Sequence, residues 1–444
     1  MERKIPSYRD IWNISYPIIL SLVAQNVINV TDTAFLGRVG EVELGASAIG
    51  GLFYISLYML GFGFAVGGQI LIARRNGEQK LYETGKIFDN SLFFLLALAL
   101  FLFLFIKFLS PVILKKFIAS SGVYVATHEF LRYRIYGLFF AFINVIFRAF
   151  YIGITKTKLL TFSAVMMAVV NVILGWCLIF GNWGFPKMGI AGAAIASVIA
   201  EASSAVFFIV LTFLTVDLKK YNLFRFRKIE IPVIKKTLNI SVFVMLQNFV
   251  SLAGWFVFFM IVEHMGEHNL AISNIIRSIY LVLMIPLWGF SSAVNTLVSN
   301  SLGEGKPDKV IPVIRKVIRL SLLSTLAIIV VSALFPHQII GIYTSDQSLI
   351  NSTLPTLYVI LGAMVLFSVS LIIFSGVSGT ANTNIAMLIE LFTIGVYLFA
   401  VYLLAVVYRF PIEIVWCCEY IYFIILGSLS VLYLRTGKWR LKVV

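Results

Sequence analysis

Apolar runs long enough to cross a bilayer recur twelve times along this chain. They lie near residues 11–36, 46–72, 88–110, 130–153, 160–181, 188–213, 236–262, 270–299, 317–335, 352–374, 385–407 and 413–433. A spanning helix needs about 20 mostly apolar residues, because the hydrocarbon core holds no water to satisfy a bare backbone. The runs are continuous rather than alternating, which argues against a membrane barrel. Charged residues make up only 12% of the chain and hydrophobic ones 60%. A soluble domain carries about 25% charged residues, so the soluble enzyme folds drop out. The chain reads as an all-α integral membrane protein with twelve transmembrane helices. The first run lacks a small-residue cleavage end and reads as a retained helix rather than a signal peptide.

The formal charge is +15. In this context the excess points to basic cytoplasmic loops and not to nucleic acid. The two tails and the loops on their side hold 25 Lys and Arg residues, against 5 in the loops opposite. That bias places both termini and the linker 214–235 in the cytoplasm. The expected location is the cell membrane, which is the inner membrane in a Gram-negative bacterium. Cys177, Cys417 and Cys418 all fall in apolar runs, and an odd count there gives no disulfide or zinc framework. His128, His264, His268 and His337 fall in expected outer loops and read as solvated residues. No metal or cofactor is expected.

Three pairs of segments repeat in one register. GEVELGASAI at 40–49 matches GEHNLAISNI at 266–275, NGEQK at 76–80 matches LGEGK at 302–306, and GITKTK at 153–158 matches GTANTN at 379–384. The common offset is 226 residues. The chain therefore divides into a first lobe at 1–213, a basic linker at 214–235 and a second lobe at 236–444. Six spans per lobe is an even number, so the copies form a parallel repeat. Two such lobes around a central cleft suit alternating access, and hence a transporter. No carbonyl-filter sequence such as TVGYG is present. No cluster of catalytic groups argues for an enzyme.

Four acids fall well inside the spans: Asp32, Glu201, Glu390 and Glu419. An acid in a span is costly and marks a functional candidate. Asp32 is the sharpest, because Gln25, Asn29 and Asp32 share one helix face. Pro17, earlier in the same helix, lacks an N–H and can bend it. Asn171 supplies a mid-span amide within reach of the Asp32 region. Glu201, Glu390 and Glu419 are secondary candidates, with structural pairing as the alternative. Arg148 reads as a cation snorkelling from the end of the fourth span, and Arg277 as one at the outer interface.

These residues resemble the multidrug and toxic compound extrusion family. Its pattern is seen in Pro17, Gln25, Asp32 and DTAFLGRVG at 32–40, then in GQILIARRNGE at 68–78 and FRAFYIGITKTK at 147–158. It continues through NVILGWCLIFGNWGFPKMGIAGAAIASVIA at 171–200, NTLVSNSLGEGK at 295–306 and GVSGTANTN at 376–384. The resemblance implies export of organic cations and other amphipathic toxic compounds in exchange for H⁺ or Na⁺. It also implies two six-helix lobes, Asp32 as the ion-coupling acid, Asn171 as its amide neighbour and Ser197 as a hydroxyl in support.

Two departures bear on the ion. Gly175 stands where relatives often carry Asp or Asn, and 236–262 and 352–374 contain no acid. Fewer oxygen ligands favour H⁺ over Na⁺. The expected partners are membrane lipids and small organic cations, and the expected state is a monomer. The alternatives are a lipid-linked oligosaccharide flippase, or a membrane-bound enzyme or scaffold without transport.

Overall fold

The computed structural model describes residues 5–226 and 229–441, and all regular structure among them is helical. The first half runs α1 (Tyr8–Val39), α2 (Glu41–Gly77), α3 (Leu81–Phe117), α4 (Ser121–Arg134), α5 (Gly137–Gly153), α6 (Lys158–Phe180) and α7 (Gly189–Thr215). A short α8 (Leu218–Tyr221) follows, its start capped by the Asp217 carboxylate, which accepts from the Lys219 and Lys220 amides. The second half runs α9 (Ile231–Glu263), α10 (Glu267–Leu283), α11 (Ile285–Gly303), α12 (Val310–Leu334), α13 (Pro336–Gly341) and α14 (Gln347–Gly379). It ends with α15 (Thr383–Tyr402), α16 (Ile412–Trp416) and α17 (Cys418–Arg435).

By length and composition, ten helical segments among the described residues can each cross a membrane, and two further pairs do so as bent spans. Two expected single helices are therefore broken. The fourth bends by 53° between α4 and α5, and the eighth by 45° between α10 and α11. Pro286 at the start of α11 explains the second break, since it brings no N–H to the helix ladder. At the first break stands Gly137, where a Cβ would run into the side-chain ends of Arg134 and Glu201. His128, His268 and His337 lie within α4, α10 and α13 rather than in loops.

The 226-residue offset is visible in the backbone. It separates the starts of α2 and α10, Glu41 and Glu267, and the ends of α2 and α11, Gly77 and Gly303. It also separates the start of α4 from that of α14, and the end of α5 from that of α14. Turn conformations follow the same rule. Gln79 (φ 61°) corresponds to Gly305 (φ 69°), and Thr155 (φ 61°) to Ala381 (φ 68°). The left-handed region is strained for most side chains, so its recurrence at matched positions marks a shared turn.

The chain forms two compact units, Leu20–Met245 and a second comprising the residues up to Ile19 with those from Leu246 onward. The division falls inside α1 and α9 rather than in the linker, and the two crossing points are themselves 226 residues apart. The packing within each unit accounts for it. In the second unit the Trp12 ring packs on Phe290 at 6.1 Å, and Lys316 donates to the Pro6 carbonyl at 2.8 Å. In the first unit Ser241 of α9 donates to the Phe64 carbonyl of α2 at 2.9 Å. Gly63 and Gly67 admit that approach, because a Cβ at either would meet Met245 or Ser241. One turn apart on α2, they form a small-residue seam of the kind that lets membrane helices pack closely.

Candidate functional site

The later half of α1 carries the polar strip, and the first unit surrounds it. Asp32 is half-buried, and its Oδ2 accepts from the Ser197 hydroxyl of α7 at 3.2 Å. The Ser197 oxygen in turn accepts from Asn171 Nδ2 of α6, also at 3.2 Å. Asn171 is fully buried. Ser197 thus links the two residues, and the Asn171 amide stands close enough to act on the Asp32 carboxylate as well. Asp32 Oδ1 and Asn171 Oδ1 are buried without a hydrogen-bond partner. Two acceptor atoms left open beside a hydroxyl link make a site that lacks a donor or a cation.

The α6–α7 pair that positions these groups packs closely. Gly192 of α7 lies against the backbone at Leu178 and Ile179 of α6, where a Cβ would sit at 2.6 Å. Gly175, the departure from the usual acid or amide, instead lies against the Phe35 ring, where a Cβ would make ordinary contact with Phe35 and Ile179. Gln25 is half-buried, while Asn29 is exposed and its carbonyl accepts from Thr33. Neither side chain joins the Asp32–Ser197–Asn171 chain. Pro17 lies inside an unbroken α1, two residues before the point where that helix passes between units.

Glu201 is held in an ion pair. The Arg134 guanidinium donates to both of its oxygens, at 2.7 and 2.6 Å, and both side chains are largely buried. The Tyr54 ring lies under the same guanidinium at 3.9 Å. Asn144 donates to the Glu201 carbonyl at 2.9 Å. Arg134 also stands close enough for its charge to be felt at Asp32. Sequence reasoning left Arg134 unpartnered. A lone Arg and a lone Glu inside apolar runs were the signal that such a pair exists.

The two acids of the second unit are separate from this site. Glu390 of α15 is 3% exposed, and its Oε1 accepts from Ser251 and Tyr422, both at 2.7 Å. Glu419 of α17 is 5% exposed and accepts from Tyr397 at 3.0 Å and Tyr280 at 3.3 Å. The Tyr397 and Tyr422 rings meet edge-on at 5.7 Å, which joins the two carboxyl sites. Their hydroxyl partners come from distant helices and carry no local sequence signature. Among the described residues, no three His, Cys, Asp or Glu side chains gather as metal ligands.

Comparison with known proteins agrees with the resemblance in the sequence. The MatE family model matches residues 17–177 and 243–403, two segments whose starts are again 226 residues apart. A Thermotoga maritima protein named "Probable multidrug resistance protein NorM" is 26% identical, over 100% of this chain and 96% of its own. A solved structure described as the outward-facing conformation of a multidrug resistance MATE family transporter superposes with a TM-score of 0.89 at 18% identity. It covers 98% of this chain and 97% of that one. A transporter of the MOP superfamily from Pyrococcus furiosus also has a TM-score of 0.89 at 18% identity, over 97% and 95% of the two chains. Its structure is described by a reversed polarity of the binding pocket.

Proposed function

Because the chain belongs to the MatE family of multidrug and toxic compound extrusion transporters, we propose that it exports organic cations in exchange for protons, with Asp32 as the coupling group. The observation that carries this reading is the Asp32 carboxylate itself. One oxygen is held by Ser197, and the other is buried without a partner. A proton, or the cationic group of a substrate, binds at that oxygen. The two compete because both draw on one negative charge. If the protein changes access only when one of them is bound, competition is sufficient for exchange. By linkage each weakens the other by the same factor.

Protons are preferred to Na⁺ on the ligand set. Gly175 faces Phe35 and offers no oxygen. The neighbouring oxygens come from the neutral Ser197 and Asn171, and a hard cation is better served by several charged ligands. Pro17 gives α1 a point of flexure, and Gln25 and Asn29 tune the polar strip without titrating. Glu201 is assigned to holding Arg134, and Glu390 and Glu419 to anchoring helices of the second unit. The protein acts as a monomer in the cell membrane, with both termini cytoplasmic. The test is transport of fluorescent cations by purified protein in liposomes, with pH and Na⁺ gradients imposed separately. The pH gradient alone drives uptake on this reading.

A further inference from the structure

A groove of about 700 Å³ runs along α7 in the first unit, bordered by Phe140 of α5 and Met166 of α6. Ile199, Val206 and Val210 of α7 line it and are exposed, so it opens on the surface of the unit. The small Ala202 lies among them. The lining is apolar apart from Ser203, whose hydroxyl donates to the Ile199 carbonyl at 2.8 Å. Contacts behind the groove hold its shape. The Ser204 and Ser163 hydroxyls meet at 2.7 Å, Ser204 donates to Asn144 at 3.1 Å, and the Phe147 and Phe208 rings stack at 5.5 Å. These tie α5, α6 and α7 together, so the groove exists before anything enters it, and its chemistry suits a hydrocarbon chain.

Inside a bilayer the chain itself gives little preference, because lipid tails are as apolar as the lining. Preference for one lipid comes from charge at the groove's end, and charge is found there. Lys156 and Lys158 flank the turn from α5 to α6, and Lys219 and Lys220 stand on α8, just after α7; all four are exposed. Lys156 Nζ lies over the Tyr221 ring of α8 at 6.0 Å, which sets the turn beside α8. No acid occurs at 137–200. Asp217, the acid at this rim, accepts from the Lys219 and Lys220 amides. The depths also agree. Met166 lies about 12 Å along α6 from Lys158, and Val210 about 8 Å before the end of α7, at ~1.5 Å per residue. Both fall within the ~15 Å of one leaflet, half of the hydrocarbon core. A lipid with its chain in the groove therefore brings its phosphate to the lysines.

We infer that this groove and its lysine rim form a binding site for an anionic phospholipid, with an acyl chain along α7 and the phosphate beside Lys156 and Lys158. This goes beyond the cation export read from Asp32 and does not rest on it. The test uses the full chain in liposomes doped with phosphatidylglycerol or phosphatidylcholine, each carrying a diazirine on its acyl chain. Labelled peptides are mapped by mass spectrometry. Phosphatidylglycerol is expected to label 198–210 and Met166 about tenfold more than phosphatidylcholine at equal content, the scale set by a few interfacial lysines. Lys156→Gln with Lys158→Gln lowers that ratio about fivefold. Ser203→Phe fills the groove, leaves the lysines in place and lowers labelling by phosphatidylglycerol about fivefold, since the chain loses its contacts there. An unchanged ratio in the lysine variant overturns the site. Equal labelling of the wild type by the two probes overturns it as a groove for neutral lipid. Absent labelling overturns it too, with a second copy of the chain or a hydrophobic substrate as the cover. Unchanged labelling in folded Ser203→Phe, or in Val206→Trp if that variant does not fold, is equally contrary. Failure of the cation reading appears elsewhere, as loss of pH-driven flux.

Discussion

Arg134 holds both oxygens of Glu201 across a gap of 67 residues, at 2.6 and 2.7 Å. This pair removes two of the costly charges from the spans of the first unit, where Asp89 at the start of α3 instead accepts from the Phe224 and Arg225 amides and Asp32 from the Ser197 hydroxyl. Removing one partner strands the other charge. Glu201→Gln is expected to cost about 3 kcal/mol or more. The exposed-side pair of Arg75 with Glu83 sets the contrast, with Glu83→Gln costing about 1 kcal/mol or less. Thermal unfolding in detergent checks both. The double variant Arg134→Gln with Glu201→Gln recovers part of the loss.

Gly137 leaves room for that pair, since a Cβ would meet both Arg134 and Glu201. Gly137→Ala is expected to cost about 1–3 kcal/mol through overpacking. Its effect nearly vanishes in an Arg134→Ala, Glu201→Ala background, where both side-chain ends are gone. A double-mutant cycle on unfolding midpoints reads this coupling.

The carboxyls of the second unit are proposed to anchor helices. Tyr397→Phe takes one of two hydroxyl donors from Glu419 and is expected to cost about 1–3 kcal/mol. Glu419→Gln keeps the shape and most of the bonding, so transport in liposomes stays within about twofold of wild type, a barrier change under 0.5 kcal/mol or so. Complete loss of flux in a stable Glu419→Gln protein contradicts the anchoring role.

Much of this architecture is legible in the chain. The apolar runs set the spans because a bilayer imposes their length, and the 226-residue register reappears in the Gln79 and Gly305 turns. Asp32 stands out because an acid in a span must be justified by a partner or a task. What the chain does not expose is long-range pairing. Nothing local ties Arg134 to Glu201, Tyr397 to Glu419, or places Ser197 between Asn171 and Asp32. The break at Gly137 is equally hidden, because no proline marks it. The passage of α1 and α9 from one compact unit to the other escapes notice because hydropathy does not say what a helix packs against.

Topology is open to direct labelling. On the proposed orientation, with both termini cytoplasmic, single cysteines at Ser120 and Lys219, both exposed, are expected to react from opposite sides. A membrane-impermeant thiol reagent applied to intact cells modifies the first and spares the second.

The central claim rests on whether Asp32 titrates during transport. Asp32→Asn keeps the size of the side chain and its bond to Ser197 but removes the charge. The decisive measurement is pH-gradient-driven uptake of a fluorescent cation by liposomes containing this variant, after confirming that it is folded and inserted. The account predicts no gradient-driven uptake and a cation affinity that no longer depends on pH. Uptake at the wild-type rate with unchanged pH dependence would contradict it.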